Sequence, residues 1–187
     1  MKKFLSLVAL LLCFSVVSLA QSGSCGVNLT WELSDSTLTI SGYGPMDNPC
    51  WKDYRSQIAR VSLPNGLTSI SNYAFQYCDN LTSITIPGSV VSIGDYAFQE
   101  CDKLTKVVIK DGVQHIGYMA FYQCKKLTEV NLPSSLLTID GSAFYACGLV
   151  NVTIPENITT IYAFTFAYCS SLREVTLPKN LQIIYDD

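Results

Sequence analysis

Histidine is almost missing from this chain: His115 is the only one. No CxxC pair or Cys/His cluster is present to seat a metal, so neither a metal nor a cofactor is expected. His115, in VQHIG, occupies a position filled elsewhere by Ser69, Ser92, Thr138, Thr160 and Ile183, which reads as a solvated loop side chain and not as a general base. Basic charge is also short. From 12 basic and 15 acidic residues, removal of a leader carrying Lys2 and Lys3 leaves 10 and 15, a net charge of −5. Such a chain repels a phosphate backbone, and no basic stripe with interleaved aromatics offsets this, so nucleic acid is excluded as a partner. Long hydrophobic runs are confined to the start. Phe4 to Val17 is shorter than the roughly 20 residues a membrane span requires, and no later segment is long or apolar enough, so no membrane span is expected.

What the start does contain is Lys2-Lys3, an apolar run, and Ser18-Leu19-Ala20 with small residues at the cleavage position. This is the layout of a signal peptide over residues 1–20, cleaved after Ala20, and it predicts a secreted or cell-surface product. Leu10-Leu11-Leu12 before Cys13 lacks the small residues of a lipid-attachment site.

Residues 58–187 are one pattern repeated. The stretch IGDYAFQEC (Ile93 to Cys101) returns as a Phe column (Phe75, Phe98, Phe121, Phe144, Phe166) and a Cys column (Cys78, Cys101, Cys124, Cys147, Cys169). The period is 23 residues, with one step of 22 at Cys147-Gly148-Leu149, giving five full copies and an incomplete last one. A fixed period of this size marks a solenoid whose units stack on one another. Each copy opens with an alternating strand, such as RVSLP from Arg60, SITIP from Ser83, KVVIK from Lys106 and EVNLP from Glu129. The alternation sends Val61/Leu63, Ile84/Ile86, Val107/Ile109, Val130/Leu132, Val152/Ile154 and Val175/Leu177 inward. Like strands joined by crossovers of about 18 residues pair only in parallel, and such crossovers are overwhelmingly right-handed. A second apolar patch (Val90, Ile93) follows, then a short helix around Ala97 and Phe98, with Asn72 and Asp95 as caps of two such helices. The expected fold is an α/β solenoid, a right-handed leucine-rich-repeat array with a parallel sheet and short helices.

Residues 21–57 do not fit the repeat and read as an N-terminal cap. LTWEL and TLTIS around Ser34-Asp35-Ser36 predict a β-hairpin, Gly42 to Asn48 a loop, and Pro49 to Gln57 a short helix capped by Asn48. Trp31 and Trp51 are expected to plug the apolar end of the first repeat.

At LTSITIPGSVVSIGDYAFQECDK the chain resembles the Treponema-type leucine-rich repeat, LxxVxIPxxVxxIGxxAFxxCxx, of BspA-like surface proteins. CGVNLTWELSDSTLTISGYGPM with PCWKDYRSQIARVSLPNGLTSI resembles the segment that precedes those repeats. The resemblance implies a non-catalytic surface or secreted protein engaged in adhesion. Departures are Thr165 for Ala, Tyr162 and Tyr185 for Gly, and the residue missing after Cys147.

Export favours disulfides, and seven cysteines remain after the leader. Neighbours in a parallel stack lie about 4.8 Å apart and point the same way, whereas a bridge needs Cβ atoms about 3.5 to 4.5 Å apart and facing. The Cys column is therefore read as buried free thiol, and Cys25 with Cys50 as the bridged pair. The expected ligand surface is the outward strand face: Arg60, Ser62, Ser83, Thr85, Lys106, Val108, Glu129, Asn131, Asn151, Thr153, Glu174 and Thr176. It is polar and regular, suited to an extended extracellular protein or surface polymer and not to a small substrate. Glu129 and Glu174 read as solubilising side chains, not a catalytic pair. LQIIYDD stops where Ala-Phe is next in the pattern, so further repeats or a partner are expected at that open end. The alternative function is a glycan-binding or accessory module of a larger secreted enzyme, resting on Tyr77, Tyr122, Tyr145 and Tyr168 as sugar-stacking rings.

Overall fold

The computed structural model describes residues 20–186. The predicted signal peptide lies outside the described residues, apart from Ala20. Three antiparallel strands come first: β1 (Gln21–Gly26), β2 (Leu29–Ser34) and β3 (Thr37–Pro45). The β2–β3 hairpin closes through Asp35 and Ser36, both at positive φ (47° and 62°), the two-residue turn that matches strand twist. Trp31, Leu33, Leu38 and Ile40 are buried as the alternation predicts.

Three expectations for this unit are corrected. Gln21–Gly26, left unassigned, is a strand, because Ser and Gly allow close approach: a side chain on Gly23 would meet the Trp31 indole. Gly42 to Pro45 is not loop but the continuation of β3, which bends at Gly42 and Gly44 (φ 110° and 100°) and so pairs with both faces of the array. The helix of residues 49–57 shrinks to a 3-10 helix, Lys52–Gln57, preceded by Trp51 with no side-chain cap.

The repeats then contribute two strands each: β4 (Arg60–Ser62) and β5 (Gly66–Ile70), β6 (Ser83–Ile86) and β7 (Ser92–Ile93), β8 (Lys106–Ile109) and β9 (His115–Ile116). After them come β10 (Glu129–Asn131) and β11 (Thr138–Ile139), β12 (Asn151–Thr153) and β13 (Thr160–Ile161), β14 (Glu174–Thr176) and β15 (Ile183–Ile184). The chain is a β-solenoid of about six turns with parallel sheets and little helix. The even-numbered strands from β6 run as predicted, β6–β8–β10 and β12–β14, all parallel and in register. The second patch is a further parallel ladder, β5–β7–β9–β11 and β13–β15, that alternation over two residues is too short to reveal.

The expected short helices are absent: residues 72–77, 95–100, 118–123, 141–146 and 163–168 are successive turns. An α-helix sends every N–H to the carbonyl four residues back. Here alternate N–H groups leave the turn for the next repeat: Tyr73, Phe75 and Tyr77 donate to Asp95, Ala97 and Gln99, and the pattern recurs through Ser142, Phe144 and Ala146. This geometry puts the second and sixth residue of every turn, from Tyr73 and Tyr77 to Phe164 and Tyr168, at φ of 53–60°. Asn72 and Asp95 do not cap their own turns but bridge repeats, accepting from the backbone N–H of Asp95 and Tyr118 respectively.

Inside, the Phe column is a continuous stack, Phe75–Phe98–Phe121–Phe144–Phe166, with ring centroids 5.0 to 5.6 Å apart and planes within 15°. Trp51 extends it by one ring, stacking on Phe75 at 5.6 Å while its indole N–H donates to the Ala74 carbonyl. The Cys column is buried and unbridged, as expected from parallel geometry, yet it is more than small apolar filling. Cys101, Cys124, Cys147 and Cys169 each direct Sγ at 3.0 to 3.1 Å to the carbonyl of a Phe in the preceding repeat. Burial holds three of the thiols protonated, pushing Cys78 up to about 12 and Cys101 and Cys147 well above the usual range. Thr165, replacing Ala, is accommodated because its hydroxyl donates to the Tyr162 carbonyl at 2.7 Å. Cys25 and Cys50 are separate thiols, one buried and one exposed, so the proposed bridge is not formed in this structure. Val175 and Leu177 are exposed rather than inward-buried, because no further turn covers them among the described residues.

The one-residue deletion has a structural cost. From Cys147 to β12 the chain is one residue shorter than from Cys124 to β10, and both ladders stop there: neither β10–β12 nor β11–β13 forms. The turns hold that junction instead, through Ser142, Phe144 and Ala146 donating across it and Phe144 stacking on Phe166.

Candidate functional site: the outward strand face

All twelve predicted face residues lie on β4, β6, β8, β10, β12 and β14, and all are exposed except Val108, which is half-buried. Parallel register brings Ser83, Lys106 and Glu129 into one row, Thr85, Val108 and Asn131 into the next, and pairs Asn151 with Glu174 and Thr153 with Thr176. Lys106 and Glu129 form an ion pair of 2.7 Å, the only one among the described residues. Both groups are well exposed, so the pair contributes no more than about 1 kcal/mol. Asn131 behaves unlike its neighbours. Its side-chain amide donates to the Ile109 carbonyl and accepts from the Ile109 N–H, at 2.7 and 2.8 Å, so it stands in for the backbone of an additional ladder residue. Asn is the only carboxamide in that strand position, a signal available in the sequence but not weighed. Arg60 at the array's start is held by the Thr37 hydroxyl and the Asp35 carbonyl.

The face is not flat. Where β10 and β12 part, a shallow depression of about 670 Å³ opens, lined among others by Lys106, Val108, Glu129, Asn131, Val150 and Asn151. It borders the junction at which the repeat at Cys147 is one residue short. A smaller one adjoins it at Asp111, Asn131 and Ser134. The bordering loops are tied together across repeats. The Ser134 N–H and hydroxyl both donate to one Asp111 carboxylate oxygen, the Asn157 amide donates to the Ser134 carbonyl, and the Lys179 N–H donates to Glu156. Such loops are pre-ordered, which lowers the entropy cost of binding.

His115 is exposed on β9 with Nδ1 2.9 Å from the Thr138 hydroxyl. The tyrosines offered as sugar platforms stack on one another: Tyr122 on Tyr145 at 4.8 Å and Tyr145 against Tyr168 at 4.9 Å. Among the described residues, no group of three or more His, Cys, Asp or Glu is arranged to hold a metal, and no helix is long and apolar enough to cross a membrane.

A family model for the BspA type leucine rich repeat region matches residues 48–111 and 91–187, in six copies. The chain belongs to the BspA-type leucine-rich-repeat family. Among solved structures it is similar to a leucine rich cell surface protein from Faecalibacterium prausnitzii, at 30% identity and a TM-score of 0.66 over 88% of this chain and 44% of that one. A leucine-rich repeat protein from Bacteroides ovatus aligns at 32% identity and a TM-score of 0.64, over 82% of this chain and 41% of that one. The chain thus spans less than half the length of these two proteins. The Treponema pallidum leucine rich repeat protein shares the fold at 22% identity and a TM-score of 0.54, over 87% and 86% of the two chains. No curated protein matches. The six BspA-type copies make this a leucine-rich-repeat protein, and of the three neighbours the one from Faecalibacterium prausnitzii is described as a cell surface protein.

Proposed function

We propose that this BspA-type chain is exported through a leader cleaved after Ala20 and works at the cell surface or beyond as a non-catalytic adhesion module. It binds an extracellular protein or surface polymer through the outward strand face. The observation that carries the reading is the depression at the β10–β12 junction, whose lining joins the apolar Val108 and Val150 to the Lys106–Glu129 pair and the polar Asn131 and Asn151. A small apolar centre within a polar rim is the anatomy of a protein-binding patch. The strands alone give a patch of only about 300 Å², against about 800 Å² per side for a stable interface. The bordering loops at Asp111, Ser134, Glu156 and Lys179 supply the remainder, and their cross-repeat hydrogen bonds suit them to it. In the same reading residues 21–57 act as the cap. The exposed apolar side chains Val175, Leu177 and Ile184 are a second surface open to a partner.

The glycan-binding alternative is disfavoured by the stacking of Tyr122 on Tyr145, which hides the ring faces a sugar needs. The test is the double variant Lys106→Glu/Glu129→Lys, which keeps the ion pair and swaps its polarity. Adhesion of the purified chain to a surface coated with whole extracellular matrix drops at least about tenfold, with the melting temperature unchanged. Unchanged adhesion rejects the strand face, and turnover of any substrate by the purified chain rejects the non-catalytic assignment.

A further inference from the structure

Consecutive repeats are joined along the two ladders and the turns, and every junction between them but one keeps at least one ladder. Where β10 and β12 part, both ladders are missing, and so are the backbone bonds that flank them. Thr128, Leu137 and Asp140 donate to the carbonyls of Thr105, Gln114 and Ile116 in the preceding repeat, and Arg173, Gln182 and Tyr185 do the same two repeats further on. Val150, Thr159 and Tyr162, the matching residues between them, donate to no backbone carbonyl among the described residues. Val150 is half-buried and the other two are exposed, so water reaches these N–H groups and makes the open junction tolerable.

What still crosses the junction lies on one side of the cross-section. Ser142, Phe144 and Ala146 donate to Ala163, Thr165 and Ala167 at 3.1, 2.9 and 2.8 Å, and the Cys169 thiol reaches the Phe144 carbonyl beside them. The Phe144–Phe166 stack there is the widest of the Phe column, at 5.6 Å against 5.0 to 5.2 Å elsewhere. Away from the turns, the hydrogen bond that spans the junction among the described residues is an exposed one, from the Asn157 amide to the Ser134 carbonyl at 2.8 Å. An added strand does not fit the opening: Cα atoms of β10 and β12 approach within 8 Å, whereas a strand between them needs about 9.6 Å. We propose that the array is hinged at this junction, residues 20–147 and 149–186 turning as two units about the row of turn bonds, with the depression between β10 and β12 as the mouth of the hinge. A row of bonds along one side resists sliding but permits rotation about its own line, and each unit is kept stiff by its own ladders and stacks. Asn157, on the loop between the two ladders, is the latch on the side away from the axis. The hinge does not depend on what the strand face binds, but a partner lying across the junction fixes its angle and so selects one conformation.

The test compares the whole mature chain with a variant carrying one Asn inserted after Gly148, which restores the 23-residue spacing. In the parent, amide hydrogen exchange at Val150, Thr159 and Tyr162 runs at least about a hundredfold faster than at Thr128, Leu137 and Asp140, the contrast between an open and a repeat-bonded N–H. Spin labels measure the spread of angles in a Cys50→Ser background, where the other native thiols are buried. Val91→Cys with Thr159→Cys straddles the junction, and Thr68→Cys with Leu137→Cys spans the same three repeat steps inside the first unit; all four positions are exposed. The straddling pair gives a distance distribution about twice as wide as the internal pair. The insertion narrows it to the internal width and slows the three amides. Equal widths in the parent overturn the hinge, as does exchange at Val150, Thr159 and Tyr162 as slow as at their counterparts. Both readouts are taken on the parent, so they decide the outcome even if the inserted residue is not accommodated.

Discussion

Replacing Phe121 with alanine strikes the centre of the aromatic column. Phe121 is fully buried and sandwiched between Phe98 at 5.0 Å and Phe144 at 5.2 Å, with planes within 3°. Removing a buried Phe side chain costs about 3 to 5 kcal/mol in transfer and cavity terms, to which two lost ring pairs of about 0.5 to 1.5 kcal/mol each contribute. Against a total stability of about 5 to 15 kcal/mol this is a large fraction. The array couples nearest neighbours, so the loss weakens two interfaces at once and divides the stack. Phe166 sits at the other extreme: half-buried and stacked on Phe144 alone at 5.6 Å, it should cost about half as much on replacement, roughly 2 kcal/mol. Urea unfolding followed by both tryptophan fluorescence and circular dichroism distinguishes the two. Trp31 and Trp51 are buried against the first repeat and report that end, while circular dichroism reports the whole ladder. Phe121→Ala should separate the two transitions, and Phe166→Ala should shift the dichroism midpoint with little change in fluorescence. Equal costs for the two variants, or a cost below about 1 kcal/mol at Phe121, would refute the picture of a cooperative column.

The left-handed turn positions make a second test: Gln123, at φ 56°, should tolerate Gly with no loss, whereas Gln123→Ile should cost about 1 to 2 kcal/mol in thermal denaturation. Oxidation during export should bridge Cys25 to Cys50, so that alkylation of the denatured, unreduced mature chain labels five thiols; labelling of all seven leaves the pair separate. Alkaline stability follows from the buried thiols. The folded-state ionisation of Cys78, Cys101 and Cys147 is raised, so the stability they confer is intact below the ordinary thiol value and declines as pH climbs from about 9 toward the 12 of Cys78. Each contributes a slope of about 1.4 kcal/mol per pH unit, and a Cys101→Ala variant should lose its share of that slope in urea titrations between pH 9 and 10.5.

The repeat, its main strands and its inward residues are legible because they rest on a period of 23 and an alternation of two, both carried by side-chain type. What was illegible lies in the backbone. The turns at 72–77 and their equivalents carry Ala-Phe next to potential caps and look helical, yet alternate N–H groups find partners in the adjacent repeat. That choice is made by stacking and leaves no mark in the composition of Tyr, Gln, Glu and Met at positive φ. The second ladder escapes notice for a related reason, since two residues per strand carry no periodicity. At the site, the outward residues were placed correctly by pleat, but the depression was not. It lies where the repeat at Cys147 is one residue short, and the effect of that on strand pairing appears only when neighbouring turns are superposed in register. That the Cys column donates to carbonyls is equally invisible in the sequence, because it depends on the turn that presents the Phe carbonyl.

The claim that the strand face is the working surface is open to one direct measurement. In a Cys50→Ser background the remaining native thiols are buried, so a cysteine placed at Thr85 or Thr153 on the face, or at Thr68 on the second ladder, is the only reactive one. All three positions are exposed. Each is coupled to a bulky maleimide polymer, and adhesion to a matrix-coated surface is compared with that of the unmodified chain. Blocking at Thr85 or Thr153 should abolish adhesion while blocking at Thr68 leaves it intact; adhesion that survives at Thr85 and Thr153, or is lost equally at all three, contradicts the account.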